Sequence, residues 1–153
     1  MWIHLSKYPI HTIGPARRNG GLAKPPGLFF AKDNQWANWL KRQGSKIPKY
    51  RYALIRNNLN IYDLDKTNVN EFIDKYAITV NDIIIDFNWS LIRKSYDGIR
   101  IDYNSIIRLT DVRKYFIFST YDVETLVVWK FQQAQIRIVK DIVLAVSYTH
   151  LTL

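Results

Sequence analysis

Apolar and polar positions divide the chain into short segments, each punctuated by Gly, Pro, Asn or Asp. "MWIHL" (1–5) is a short, aromatic opening strand. Residues 9–27 carry Pro9, Gly14, Pro15, Gly20, Gly21, Pro25, Pro26 and Gly27, a density of breakers that predicts one long loop. "GLFFA" (27–31) follows as a buried strand. "KDNQWANWLKRQ" (32–43) is predicted as a helix capped by Asp33 or Asn34, with Trp36, Trp39 and Leu40 on one face. "KYRYALI" (49–55) alternates as a strand, and "NLNIY" (58–62) is expected to pair with it across the turn-like "RNN". "TNVNEFIDKYA" (67–77) reads as a helix started by Thr67, and "VNDIIIDFNWSLIRKSY" (80–96) places Ile83, Ile84, Phe87, Leu91 and Tyr96 on one helical stripe. "GIRID" (98–102), "ETLVVWKF" (124–131) and "AQIRIV" (134–139) are strands, and 104–121 is expected to hold a short helix and then the strand-like "KYFIFS". Strands mixed with helices in this order predict an α+β domain.

Length and composition narrow this picture. The chain of 153 residues suits one domain, expected over 1–146, large enough to fold without covalent staples. The last residues, "VSYTHLTL", fit nothing before them, so 147–153 is expected to be a non-native tail and His150 is given no role. With no cysteine and only His4, His11 and His150, no disulfide, thiolate or metal chemistry is expected. No run approaches the ~18 apolar residues of a spanning helix, and the first ten residues lack a basic stretch ahead of a long apolar core. The expected location is the cytoplasm, without a membrane partner; oligomeric state stays open.

Charge changes the picture more. The net value is +9, but residues 1–56 hold eleven Lys/Arg against one acid (+10), while residues 57–153 hold eleven against twelve (−1). Such asymmetry suits a polyanion or a phosphate-bearing substrate, with an ordinary basic surface as the plain alternative.

No GxxxxGK[ST], GxGxxG or GxSxG pattern is present. Glu71 and Glu124 are the only glutamates, and a helix dipole accounts for Glu71, so a glycosidase pair finds little support. "HLS" at His4 and "IHT" at His11 stand only seven residues apart, whereas a two-histidine phosphoesterase draws its pair from distant strands. What remains is an ordered series: "HLS" (4–6), "PPGLFFA" (25–31) with "WANWLK" (36–41), "YDGIRI" (96–101) and "ETLVVWKFQQAQIRIV" (124–139).

In order and spacing these pieces resemble the ADP-ribosyltransferase fold, in its poly-ADP-ribose-polymerase and diphtheria-toxin branch and its bacterial or phage members. That branch has H-x-S/T on strand one, G-[IL]-[YF]-F-A on strand two, an aromatic on the next helix, and a late E-x-x-V-V. The resemblance runs from Ile3 to about Val139 and implies an ADP-ribosyltransferase-like split β-sheet core with flanking helices. It also implies NAD as substrate, without a metal. Carried across, His4 would bond the adenosine ribose, Ser6 would meet the nicotinamide amide, Phe29 and Trp39 would stack on the ring, and Glu124 would be catalytic. Phe29 lacks the hydroxyl of the usual tyrosine, Thr125 stands where an aromatic often follows the glutamate, and no R-S-E signature is present.

The chemistry asks for the same residue types. Breaking the nicotinamide–ribose bond creates an oxocarbenium-like centre, which a fixed carboxylate stabilises more than it stabilises the ground state. The cationic nicotinamide ring is held by aromatic faces. Each residue also has a plainer explanation: His4 as a satisfied polar group, Phe29 and Trp39 as packing, Glu124 as an edge charge. The acceptor of ADP-ribose is expected to be a nucleic acid or a nucleic-acid-bound protein. Its expected contacts are Arg17 and Arg18 on the long loop, and Lys41, Arg42, Lys49 and Arg51 beside Tyr50 and Tyr52. A non-catalytic basic binding protein, or a degenerate binder of NAD or ADP-ribose, remains the rival class.

Overall fold

The computed structural model describes residues 1–11, 23–55, 58–130 and 136–139. Arg17, Arg18, most of the long loop and the tail 147–153 lie outside the described residues. In chain order the elements are β1 (Trp2–Ser6), β2 (Leu28–Lys32), α1 (Gln35–Arg42), β3 (Tyr50–Leu54), β4 (Ile61–Leu64), α2 (Val69–Tyr76), β5 (Ala77–Val80) and β6 (Ile83–Phe87). They continue as α3 (Trp89–Arg93), β7 (Gly98–Ile101), α4 (Tyr103–Ile106), α5 (Val112–Tyr115), a 3-10 turn (Phe116–Thr120), β8 (Thr125–Val128) and β9 (Ile136–Ile138). The fold is α+β. Seven strands form one sheet in the order β4-β7-β8-β2-β1-β3-β9, and β5 and β6 form a separate hairpin. Within the large sheet every pair is antiparallel except β4 with β7.

The sheet is thinnest at its middle. β1 pairs with β3 through four register positions and β2 with β8 through four, but β1 meets β2 only at Trp2↔Lys32 and Ile3↔Ala31. No gap divides the ladder into separate halves; it narrows there. Alternation along the strands feeds two cores. Val127, Ile99 and Ile101 face a cluster with Phe72, Trp89, Ile92 and Phe118 from the helical side. Phe30, Leu126 and Val128 face the other way, with Tyr52 and Ile136.

Three expectations are corrected. "NLNIY" does not pair with β3; its strand, β4, lies at the far edge, parallel to β7. The apolar run 80–96 is not one helix. Asn81 and Asp82 take φ of 51° and 63°, the two left-handed positions of a tight hairpin turn, so β-branched residues on either side pair as β5 and β6 before α3 begins. "KYFIFS" is α5 and the 3-10 turn rather than a strand. Caps differ as well. Neither Asp33 nor Asn34 caps α1 through its side chain, and Asp33 instead bonds the N-terminal ammonium at 2.8 Å. At α2, Asp65 rather than Thr67 organises the start, accepting the Thr67 amide at 2.8 Å.

"YDGIRI" owes its glycine to crowding. Asp97 ties three strand ends together: its amide bonds the Asn60 carbonyl at 2.7 Å, and its own carbonyl accepts from Trp129 at 3.0 Å. Next to it, a Cβ on Gly98 would meet the Val127 carbonyl oxygen at 2.5 Å and Ile61 Cδ1 at 3.0 Å. Gly98→Ala is therefore expected to lower unfolding stability by roughly 3 kcal/mol. Gly44, at φ 71° with open space around it, carries only backbone strain, so Gly44→Ala is expected to cost about 1 kcal/mol. Denaturant titration of both variants checks the contrast; equal losses would contradict it.

Candidate functional site

Where β1 and β2 part company, a side chain takes over from the ladder. Beyond the last register pair, Ile3↔Ala31, the His4 ring reaches the Phe29 carbonyl, with Nδ1 at 2.6 Å from the oxygen. A carbonyl only accepts, so Nδ1 carries the proton and the neutral ring presents Nε2 as an acceptor. Burial lowers the His4 pKa below its usual value, and the bond to Phe29 opposes that only in part. His4 also meets Phe30 edge-on, with ring centroids 5.9 Å apart.

A cavity of about 190 Å³ opens at this parting, lined by His4, Phe29, Trp36, Lys24, Tyr121 and Thr125, with Ile3, Leu5 and Val123 beside them. Small-molecule pockets run roughly 300–1,000 Å³, so this one holds a single ring and leaves the rest of a larger ligand at its mouth.

Glu124 immediately precedes β8. Its amide nitrogen donates to Gln35 Oε1 at 3.2 Å and its carbonyl accepts from the Lys32 amide at 3.4 Å, which sets it opposite Lys32, one step beyond Ala31↔Thr125. Two strands and two residues then separate its backbone from that of His4, roughly 12 Å at ordinary strand spacings. By alternation, both start from the face that carries Phe30 and Leu126. Val123 and Thr125 line the cavity, whereas Glu124 does not. Its carboxylate is 15% exposed and ion-paired: Arg100 Nη1 donates to Oε1 at 2.8 Å, and Lys32 Nζ stands 3.8 Å from Oε2. Arg100 also donates from Nε to Asp63 Oδ1 at 2.7 Å. Burial works to lower the Arg100 pKa, but the bonds to Asp63 and Glu124 outweigh it and hold the guanidinium charged.

The other expected residues separate. Ser6 closes a local turn, donating to the Tyr8 carbonyl at 2.5 Å, and is not among the cavity residues. Trp39 is not either; it stacks on Trp36 at 4.8 Å, and Trp36, one turn earlier on α1, is the tryptophan that reaches the cavity. Lys41, Arg42 and Lys49 are exposed around the end of α1 and the approach to β3. Arg51 is not with them: it lies beneath α1 beside Ile3, Leu5 and Ala37, and its buried Nε has no hydrogen-bond partner among the described residues. Lys24, Trp36 and Tyr121 were missed as site residues. The tryptophan pair was visible in the sequence, but choosing between its members needs the start of α1, which the left-handed Asp33 (φ 48°) fixes.

The His4 shift has a pH consequence. Its folded pKa lies below the unfolded value, so below pH ~6.5 the unfolded chain takes up a proton that the folded chain refuses. Stability is fully present above that pH and falls as pH drops toward the folded pKa. Thermal melts between pH 8 and 5 are expected to show this decline in the wild type and a shallower one in His4→Gln; identical slopes would remove the buried neutral imidazole.

Comparison of the chain with family models, curated proteins and solved structures gives no match, so function rests on the geometry of this site.

Proposed function

We propose that the protein is an NAD-dependent ADP-ribosyltransferase built on an ADP-ribosyltransferase-like core. One observation carries the reading: the His4 imidazole reaches the Phe29 carbonyl where β1 and β2 part, beside a ring-sized cavity with aromatic walls, and Glu124 stands two strands away, starting from the same face of the sheet. The strand order β8-β2-β1-β3 supports it, because it sets the strands of Glu124, Phe29 and His4 side by side.

On this reading the nicotinamide ring enters the cavity against Phe29, with Trp36 rather than Trp39 as the nearby tryptophan. His4 Nε2 accepts a hydroxyl of the adenosine ribose. The carboxylate of Glu124 takes a hydroxyl of the nicotinamide ribose through Oε2, since Arg100 holds Oε1. The bond from the ribose carbon to the ring nitrogen breaks with its electron pair moving to that nitrogen. Nicotinamide leaves neutral, and the oxocarbenium-like sugar faces the carboxylate. An acceptor nucleophile then bonds that carbon and gives up its proton. Lys41, Arg42 and Lys49 are exposed, and on this reading they hold a phosphate-bearing acceptor, such as nucleic acid.

A second reading has its own support. The Glu124 carboxylate is engaged by Arg100 and flanked by Lys32, an arrangement that suits a structural ion-pair network and a non-catalytic binder of NAD or ADP-ribose.

Measuring free nicotinamide after incubation with NAD separates the two. Release by the wild type is expected, with a loss of about 100- to 1,000-fold in Glu124→Gln and a clear loss in His4→Ala. NAD binding with no release from any of the three proteins would leave the binder reading standing and end the enzymatic one.

A further inference from the structure

Six lysine–ring contacts occur among the described residues, and four of them join a lysine to the very next residue: Lys7 to Tyr8, Lys49 to Tyr50, Lys75 to Tyr76 and Lys114 to Tyr115. Chain connectivity explains those four. The other two both belong to Lys24, whose Nζ lies 5.2 Å from the Tyr121 ring centroid and 6.0 Å from that of Phe29. These contacts are tertiary, they lie inside the ring-sized cavity, and they fall within the ~6 Å over which an ammonium is attracted to an aromatic face.

The backbone holds this lysine in place from both sides. Ala23 sits in the left-handed region at φ 60°, and its carbonyl accepts a hydrogen bond from Trp89 Nε1 at 3.2 Å. Trp89 is itself a core residue. After Lys24 come Pro25 and Pro26, both buried, whose rings fix the following backbone. A non-glycine residue in the left-handed region persists when its surroundings hold it there, and here the Trp89 bond and the buried prolines do so.

We infer that Lys24 is a built-in competitor for a flat cationic ring: its ammonium covers the faces of Phe29 and Tyr121 that such a ring would use. This deepens the proposed function, since the oxidised pyridine ring of NAD is such a cation. Two positive charges cannot share these faces in a partly desolvated cavity. An entering cationic ring must drive the ammonium outward and lose attraction already made. A neutral ring of the same size is not repelled by the ammonium and can pack beside it. Lys24 thereby sets the threshold for cation entry and weakens discrimination in favour of the charged ring.

The test uses small probes and does not depend on catalysis. Nicotinamide methylated at its ring nitrogen, a permanent cation, and nicotinamide, its neutral counterpart, are titrated by calorimetry into the wild type, Lys24→Met and Lys24→Arg. Methionine keeps the apolar stem and removes the charge. The cationic probe is expected to bind Lys24→Met about fivefold tighter than the wild type, with nicotinamide changing by less than about twofold and Lys24→Arg behaving as the wild type. An unchanged or weaker affinity of the cation for Lys24→Met would overturn the inference, as would an equal gain for both probes or no binding of either probe to any variant. Nicotinamide release from NAD by a protein whose cation affinity ignores Lys24 would end this inference and leave the enzymatic reading intact. The expected probe pattern without release would do the reverse.

Discussion

The short contact between β1 and β2 is the constraint on which the site depends. An antiparallel ladder satisfies backbone donors and acceptors in strict rotation, and when it stops the exposed groups need other partners. Here the Phe29 carbonyl finds its partner in the His4 ring. That one bond fixes the tautomer of the imidazole, keeps its second nitrogen available as an acceptor, and lets the strands separate enough for a cavity to open between them and the segment leading into β8.

The electrostatics follow from the same arrangement. On the face that carries Phe30 and Leu126, the partly buried Glu124 is stabilised by Arg100, which in turn is held by Asp63. A carboxylate held this way is well placed, because a fixed group needs no reorganisation when charge develops near it. It is also already engaged, and removing either partner would leave a partly buried charge without its counter-ion. Placement of the carboxylate and its accessibility to a ligand therefore pull in opposite directions.

Much of the sheet was legible. β1, β2, β3 and β8 follow runs of apolar and β-branched residues whose alternation needs no distant information, and α1 follows the spacing of its tryptophans. The hairpin of β5 and β6 was not legible as periodicity, because consecutive isoleucines fit a helical stripe as well as a strand. The left-handed Asn81 and Asp82 resolve it. The partner of β4 was misplaced for a different reason. Proximity in sequence favours a hairpin with β3, but Asp97 and the close approach at Gly98 lock β4 to β7 instead.

The sequence by itself determined the α+β character, the concentration of positive charge before residue 57, and the candidacy of His4, Phe29 and Glu124, because these depend on residue type and local order. Only the tertiary structure decided that Trp36 rather than Trp39 reaches the cavity, that Arg51 lies under α1, that Ser6 closes a turn, and that Lys24 covers two aromatic faces. Each of those outcomes depends on where a strand pair ends or a helix begins in space. A change of one residue in either turns a side chain toward a different neighbour.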